Sequence, residues 1–362
     1  MHFPLPLPLP LLLLTTLTLT TTTTTAQYLK DINPIAVDYP VHVDFVPDST
    51  HLADLESPKL SEVNTTVFEW WYFDAISSTN PNASIVLTFF TTTATAFPAV
   101  PQNLSSVLLT YVWATLPNGT TVSQNIVPID ASVMGDRDVS SGGWEGTGGW
   151  AGRESGYEAW VGWEGGRVSG RMVFRDLAPP LLPCSTPQQT NRALGIGEGL
   201  GWVSMVPDSH AMVDLVVDGE KVQFMGFGYH DKNWGNRPFQ NTVKRWSWGH
   251  VHIGQYALVW LQYTPRTGAD NSTTPIVSAY LARDGKVLQS GCRNSIINII
   301  ERMTASSYGV DVGMDDVELR IQGTVEVAGD GKNYFRWNGV VFGTVEGQKL
   351  DGGVAVFEGF RL

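Results

Sequence analysis

The chain has 362 residues, a length suited to two domains of about 150–170 residues, and carries 35 acidic against 23 basic side chains for a net charge of −12. Hydrophobic residues make up 43% and charged residues 16%, which excludes a disordered chain. No Lys/Arg cluster offers a face to nucleic acid or an anionic membrane, and no apolar run of about 18 residues follows the N-terminus, so an apolar or neutral small molecule is the expected partner.

Residues 1–26 read as a signal peptide. Met1–Leu14 is rich in Leu and Pro, a threonine tract follows, and Thr24-Thr25-Ala26 offers a small-residue cleavage site, although His2 is the only basic candidate for the n-region. Secretory routing is therefore expected, with no membrane association after cleavage. Sequons at Asn64, Asn82, Asn103, Asn118 and Asn271 are expected on solvent-facing loops or strand ends. The cysteines, Cys184 and Cys292, admit either one bridge between the two halves of the chain or two buried thiols.

Residues 27–62 read as a lead-in arm. Strands are then expected at 63–75, 84–93, 106–115 and 120–127, with turns at Asn80-Pro81-Asn82 and Pro117-Asn118-Gly119. In the Gly/Trp stretch 142–170, the first half reads as a loop and the second as a hairpin, 157–163 with 167–174. Residues 177–201 are rich in Pro and Gly and read as a long irregular loop. Further strands are expected at 211–217, 221–229, 245–253, 255–263, 275–283, 286–290, 316–327, 333–342 and 353–360, and a short helix at 296–303. Many short strands at 8–12-residue spacing indicate an all-β protein of sandwich or barrel type. The division falls near residue 220, giving units 63–220 and 221–362.

Several catalytic signatures are absent: no G-x-S-x-G, no H-E-x-x-H and no P-loop. Gly195-Ile196-Gly197-Glu198-Gly199 lacks the third glycine of a dinucleotide fingerprint, since Leu200 follows. His250 and His252 share one strand face, but 253–263 brings no glutamate to complete a metal site, and His42-Val43-Asp44 lacks the context of one. No metal or cofactor is expected.

Two segments stand out. In Glu69-Trp70-Trp71-Tyr72-Phe73-Asp74, alternation sets Glu69, Trp71 and Phe73 on one face and Trp70, Tyr72 and Asp74 on the other. Neither face is polar enough for water, so both must be covered, one by core and one by a ligand cavity or second sheet. The alternative is a doubly buried structural strand. The second segment, Gly226–Gly235 (GFGYHDKNWG), gathers an imidazole, a carboxylate, an ammonium, an amide and an indole, and Lys244-Arg245-Trp246-Ser247-Trp248 follows closely. That density suggests a polar network at a junction, or else a structural corner in which Asp231 and Asn233 cap turns.

Together the two motifs resemble the carotenoid-hydratase-like, double-lipocalin superfamily, and within it the fungal Diels–Alderases, above all the hetero-Diels–Alderases of tropolone–sesquiterpenoid pathways. The resemblance implies two lipocalin-like β-barrel or sandwich domains packed side by side, an apolar pocket at their junction, and no cofactor. It implies a [4+2] cycloaddition on a conjugated enone-like partner and an apolar polyene or terpenoid, such as a tropolone-derived quinone methide joined to a sesquiterpene. Such a reaction needs aligned reactants and a donor on a conjugated carbonyl rather than a nucleophile. Trp70, Tyr72, Trp234, Trp246, Trp248 and Trp337 are the expected pocket walls. Tyr229, His230, Asn233 and Lys244 are the expected donors, held by Glu69 and Asp231. Lys232 stands where many relatives carry a second histidine, which weakens transfer of acid–base roles from the hydratase branch. Two rival readings are an isoprenoid hydratase or lyase using Asp231 or Glu69 as proton donor, and a non-catalytic carrier of an apolar metabolite. A glycan-binding module is a more distant one, suggested by the Trp/Gly stretches.

Overall fold

The computed structural model describes residues 28–176, 178–187, 190–266, 274–292, 297–304 and 307–362. The expected signal peptide and the sequon at Asn271 lie outside them. Alternating aromatic and β-branched residues, broken by Gly and Asn/Asp turns, fold into two curled antiparallel sheets.

The first sheet begins with β1 (Tyr28–Ile32), β2 (Phe68–Ser77), β3 (Ser84–Thr92), β4 (Leu108–Thr115) and β5 (Thr121–Ile126). It continues with β6 (Ala131–Asp136), β7 (Val139–Trp144), β8 (Gly148–Arg153), β9 (Gly156–Val161), β10 (Val168–Arg175) and β11 (Gly195–Gly197), and ends with the long β12 (Leu200–Val217) and β13 (Glu220–Gly235). A short helix, α1 (Leu52–Glu56), precedes β2, and α2 (Phe239–Thr242) follows β13. The second sheet comprises β14 (Val243–Ile253), β15 (Tyr256–Pro265), β16 (Ile276–Arg283), β17 (Lys286–Gly291), β18 (Asn298–Met303), β19 (Tyr308–Met314), β20 (Val317–Gly329), β21 (Tyr334–Val345) and β22 (Gln348–Arg361).

The first sheet runs β1-β6-β7-β8-β9-β10-β12-β13-β2-β3-β4-β5, and β11 pairs with β12. The second runs β17-β16-β15-β14-β22-β21-β20-β19-β18. The late strand β13 thus lies between β12 and the early strand β2. Its register sets Tyr229 opposite Asp74, Asp231 opposite Tyr72, Lys232 opposite Trp71 and Asn233 opposite Trp70. The two motifs singled out in the sequence are hydrogen-bonded neighbours.

Buried apolar side chains form three clusters. One fills the first curl, with Trp71, Phe73, Trp144, Trp150 and Trp234. Another fills the second curl, with Trp260, Tyr308, Phe335 and Phe357. The third lies between the sheets and draws Trp70, Tyr72, Phe90 and Tyr229 from one and Trp246, Trp248, Val356 and Phe360 from the other.

Several expectations need correction. β13 belongs to the first sheet through its pairing with β2 and β12, so the chain passes between sheets at 236–242 rather than near 220. The turn at Asp218-Gly219 joins β12 to β13 and divides nothing. The arm 27–62 is integral: β1 pairs with β6, and α1 delivers Glu56 into the first curl. The region 142–153, read as a loop, forms the second half of β7 and all of β8. Its glycines make room for aromatic rings, since a Cβ at Gly142 would lie 2.1 Å from the Trp150 ring and one at Gly152 2.2 Å from Tyr157. Strand β18 stands where a helix was expected from 296. Ile297 and Ile299 are buried while Asn298 and Ile300 are exposed, which is strand alternation. Strands β6 and β19 were not anticipated, and β12 starts at Leu200, inside the expected loop.

Cys184 and Cys292 are bonded, joining the loop after β10 to the residue after β17 and closing 108 residues of sequence. Among the sequons, Asn103 and Asn118 are exposed and Asn64 and Asn82 are half-buried. The Asn64 amide donates to the Tyr39 carbonyl and accepts from Thr66.

Gly142→Ala should lower stability by about 1–3 kcal/mol, because Trp150 cannot retreat within a filled curl. A fall in urea midpoint with unchanged m-value checks this.

Candidate functional site

A cavity of about 430 Å³ opens between the two sheets. β2 supplies Trp70 and Tyr72, β3 Phe90, β4 Tyr111 and Trp113, β13 Asp231 and Asn233, and β14 Trp246 and Trp248. β21 adds Tyr334 and Arg336, and β22 adds Glu358 and Phe360. Its rim carries Phe97, Pro98 and Ala99 from the β3–β4 connection and Asp330 from the β20–β21 turn. Strand alternation decides membership. On β13, residues 229, 231 and 233 face the second sheet, while 230, 232 and 234 face the first curl.

The walls are aromatic and close-packed. Trp70 lies 4.9 Å from Phe97 and 5.8 Å from Phe90 between ring centroids, and Tyr72 meets Trp248 edge-on at 5.2 Å. Besides Asp330, two carboxyl groups line the cavity, in opposite electrostatic settings. Asp231 Oδ2 accepts from Trp202 Nε1 and Tyr229 Oη, both at 2.8 Å. Burial pushes its carboxyl up to about 8, against the two hydrogen bonds that lower it, with Glu358 and Asp74 adding to the rise. Asp231 is thus largely a neutral acid at pH 7. Both bonds fall on Oδ2, which leaves Oδ1 free to carry the proton.

Glu358 instead has a cation. Its Oε2 accepts from Arg336 Nη2 at 2.6 Å, from Arg336 Nε at 3.2 Å and from Tyr334 Oη at 3.1 Å. Burial opposes the charge on Arg336, but Tyr334, Tyr72 and Glu358 outweigh it and hold the guanidinium above its ordinary pKa. The Arg336 guanidinium also lies 4.8 Å from the Tyr72 ring centroid, a cation–π contact. Behind the wall, Asp74 accepts from Tyr72 Oη at 2.6 Å and lies 2.9 Å from His250 Nε2, and Tyr229 stacks on His250.

Of the residues expected at the site, Trp70, Tyr72, Asp231, Asn233, Trp246 and Trp248 line the cavity. Tyr229 stands behind Asp231 and donates to it rather than facing the cavity. Four expectations fail on strand parity. His230 points into the first curl, where Nε2 lies 2.7 Å from Glu56 Oε1 and Nδ1 donates to the Tyr72 carbonyl at 2.8 Å. Glu69 pairs with Lys232 at 2.6 Å on that same face. Trp234 donates to the Asp44 carbonyl and packs in the first core, so it lies on the opposite face from Trp70. Trp337 packs against the second core, one residue out of phase with Arg336. Lys244 is exposed at the start of β14. His250 and His252 do not converge on an ion: they lie against Asp74 and Asp208 respectively, and the described residues hold no group of three or more potential metal ligands.

Arg336 and Glu358 were missed. The signal available was a charge set between large apolar residues in Phe335-Arg336-Trp337 and Phe357-Glu358-Gly359-Phe360. A charge in such a strand must be paired or must face a cavity.

Residues 30–331 match the family model described as Diels-Alderase-like, and the chain belongs to that family. Arg336 and Glu358 lie beyond the matched span. The chain is 30% identical over 247 residues to the quinolone epoxide rearrangement protein asqO of Emericella nidulans, covering 66% of this chain and 64% of that protein. It is 24% identical over 229 residues to the Diels-Alderase cheD of Chaetomium globosum, covering 58% of this chain and 49% of that protein. The chain therefore matches somewhat under two thirds of the one and about half of the other. The fold is that of CghA, seen in its crystal structure with Sch210972, with a TM-score of 0.71 at 17% identity over 92% of this chain and 98% of that one. Kievitone hydratase from Nectria haematococca shares it more loosely, with a TM-score of 0.53 at 13% identity over 91% and 98%. The architecture is thus the lipocalin-like double barrel.

Glu69→Gln should cost about 3–5 kcal/mol, because Lys232 and the neighbouring Lys59 then lose their buried counter-charge. Chemical denaturation should show that loss, and the near-UV circular dichroism of the remaining folded protein should stay native.

Proposed function

We propose that this chain is a cofactor-independent pericyclase catalysing a [4+2] cycloaddition of small secondary metabolites in the cavity between its sheets. One observation carries the reading: an aromatic cavity at the junction that contains a neutral carboxyl, Asp231, and a paired guanidinium, Arg336. The relatives named Diels-Alderase support the reaction class.

The chemistry follows from that inventory. Bringing diene and dienophile into stacking distance removes much of the entropic barrier, an effect that reaches about 7–11 kcal/mol in well-oriented systems. Trp70, Tyr72, Trp246 and Trp248 supply flat faces, and each ring pairing adds about 0.5–1.5 kcal/mol beyond burial. The Asp231 proton donates to a carbonyl oxygen as electron density shifts onto it in the transition state, where the bond strengthens. Tyr229 and Trp202 hold the carboxyl in place, and Trp248 donates to Tyr229 at 3.3 Å. No bond to the protein forms or breaks. In the finer form of the proposal the reaction is a hetero-Diels–Alder addition joining a tropolone-derived quinone methide to a sesquiterpene. The chain acts in the secretory pathway after removal of residues 1–26.

A second reading is favoured by the same neutral carboxyl together with the similarity to asqO. Asp231 would protonate an epoxide oxygen, the rings of Trp70 and Trp248 would stabilise the developing cation, and the proton would return to Asp231 after the skeleton shifts.

The acid form of Asp231 is present below about pH 8 and lost above it. With polyene or quinone-methide precursors, kcat/KM should therefore fall above about pH 8. Asp231→Asn should remove that limb and lower the rate about 10²–10⁴-fold. Because the folded-state pKa lies above the unfolded value, Asp231→Asn should also stabilise the fold, by an amount that grows from about pH 4 to about pH 8. Trp70→Ala and Trp248→Ala should lower the rate and shift the stereoisomer ratio; unchanged rate and ratio would remove the pericyclase reading. Products with a migrated skeleton from epoxide substrates, and no cycloadducts, would favour the second.

A further inference from the structure

Two donors on the cavity walls have no acceptor among the described residues. Glu358 Oε2 already accepts three hydrogen bonds and Asp231 Oδ2 two. Arg336 Nη1 and Trp246 Nε1, by contrast, are buried without an acceptor, and both residues line the cavity. Arg336 is only 6% exposed, and the rings of Tyr72, Trp113 and Tyr334 surround its guanidinium at 4.8, 5.6 and 5.8 Å, so water reaches it poorly. A buried donor without a partner is destabilising, more so when charged. An acceptor oxygen brought beside them by an entering molecule would remove that cost.

The charge of that acceptor is also constrained. The Arg336 charge is already balanced by Glu358 at 2.6 Å. An anionic ligand on Nη1 would lie close to the Glu358 carboxylate in a poorly solvated site, where like-charge repulsion is strong. A neutral oxygen meets no such repulsion and still gains a charge-assisted bond.

We infer that the cavity selects neutral, flat, apolar reactants carrying a carbonyl oxygen that accepts from Arg336 Nη1, with Trp246 Nε1 offering a second acceptor position. This rests on the reading of the cavity as the reactant site. Arg336 is then a specificity-determining residue: it fixes which end of an otherwise greasy molecule lies against β21, and so which face of the conjugated system meets its partner.

Three bicyclic probes of similar size separate the possibilities: 1-tetralone (neutral carbonyl), tetralin (hydrocarbon) and 1-naphthoate (anion). Burial of apolar area alone ranks tetralin first. Titration calorimetry and quenching of tryptophan fluorescence on the full chain should instead show 1-tetralone binding at least about tenfold more tightly than either of the others. In the paired variant R336Q/E358Q, which removes both charges and leaves no lone buried ion, tetralin should become the tighter ligand while circular dichroism stays native. Tetralin preferred by the unmodified chain, a preference for 1-naphthoate, no binding of 1-tetralone at millimolar concentration, or a ketone preference that survives in R336Q/E358Q would each overturn the inference. If the ketone preference holds but no cycloaddition is found, the inference stands and only the proposed reaction falls. If cycloaddition is found without the preference, the reverse is true.

Discussion

The structure depends on the pairing of β2 with the second half of β13, where neither strand has a solvent-facing side to speak of. Every residue of β2 is buried, as is every residue of β13 from Gly228 to Gly235. Such strands cannot alternate polar and apolar residues as a one-sided sheet does. Their polar residues must find partners inside the protein, and the period of two divides those partners cleanly. Glu69, His230 and Lys232 are paired within the first curl, and Asp74, Asp231 and Asn233 face the second sheet. One wall therefore serves two interiors with different demands.

The inner demand is cohesion. Glu56 on α1 meets His230 and Tyr157, and Lys232 pairs with Glu69 while lying 4.4 Å from the Trp71 ring. Burial lowers the Lys232 amine and pushes Lys59 down to about 7, so these ions are held only while their partners stay in register. A slip of one residue in β13 would turn its charges from one interior to the other, at a cost of several kcal/mol for each unpaired ion. The buried charges specify the register on which the cavity depends. On the outer face Asp231 has no cation beside it among the described residues, whereas Glu358 has Arg336. Of the cavity's carboxyl groups, Asp231 is thus held neutral while Glu358 is a fixed counter-ion.

The fold class, most strands and the faces of β2 were legible because alternation and turn chemistry are local signals. Alternation set Trp70 and Tyr72 on one face together, whereas Asp231 stood out by the density of polar groups around it and was expected to hold donors rather than to be one. Four of the site errors share one cause: residue type was weighed above strand phase. His230 and Trp234 have more conspicuous chemistry than Tyr229 and Asn233, and Trp337 more than Arg336, yet phase sends them elsewhere. Phase on β13 becomes readable only once its partner strand is known, and β2 lies some 150 residues earlier in the chain. The glycines of β7 and β8 misled for a related reason. They were read as backbone freedom, whereas Gly142 and Gly152 are absences of side chain into which Trp150 and Tyr157 fit, and that requires the cross-strand neighbour.

Filling the first curl has a consequence for where chemistry can occur. An open barrel of this kind offers its lumen to a ligand. Here four indoles and a buried ion cluster occupy the lumen of the first sheet, and the space for a ligand lies at the seam instead. A seam cavity takes its walls from two separately stabilised cores, so its shape is fixed by packing that does not involve the ligand. That is the preorganisation a reaction without covalent help requires, since the protein can lower the barrier only by holding reactants and dipoles in place beforehand. Pro98 and Ala99 of the β3–β4 connection and Asp330 of the β20–β21 turn line the cavity without belonging to any of the three buried clusters. Substitutions there can change which molecules enter and how they lie while β2 and β13 keep their register.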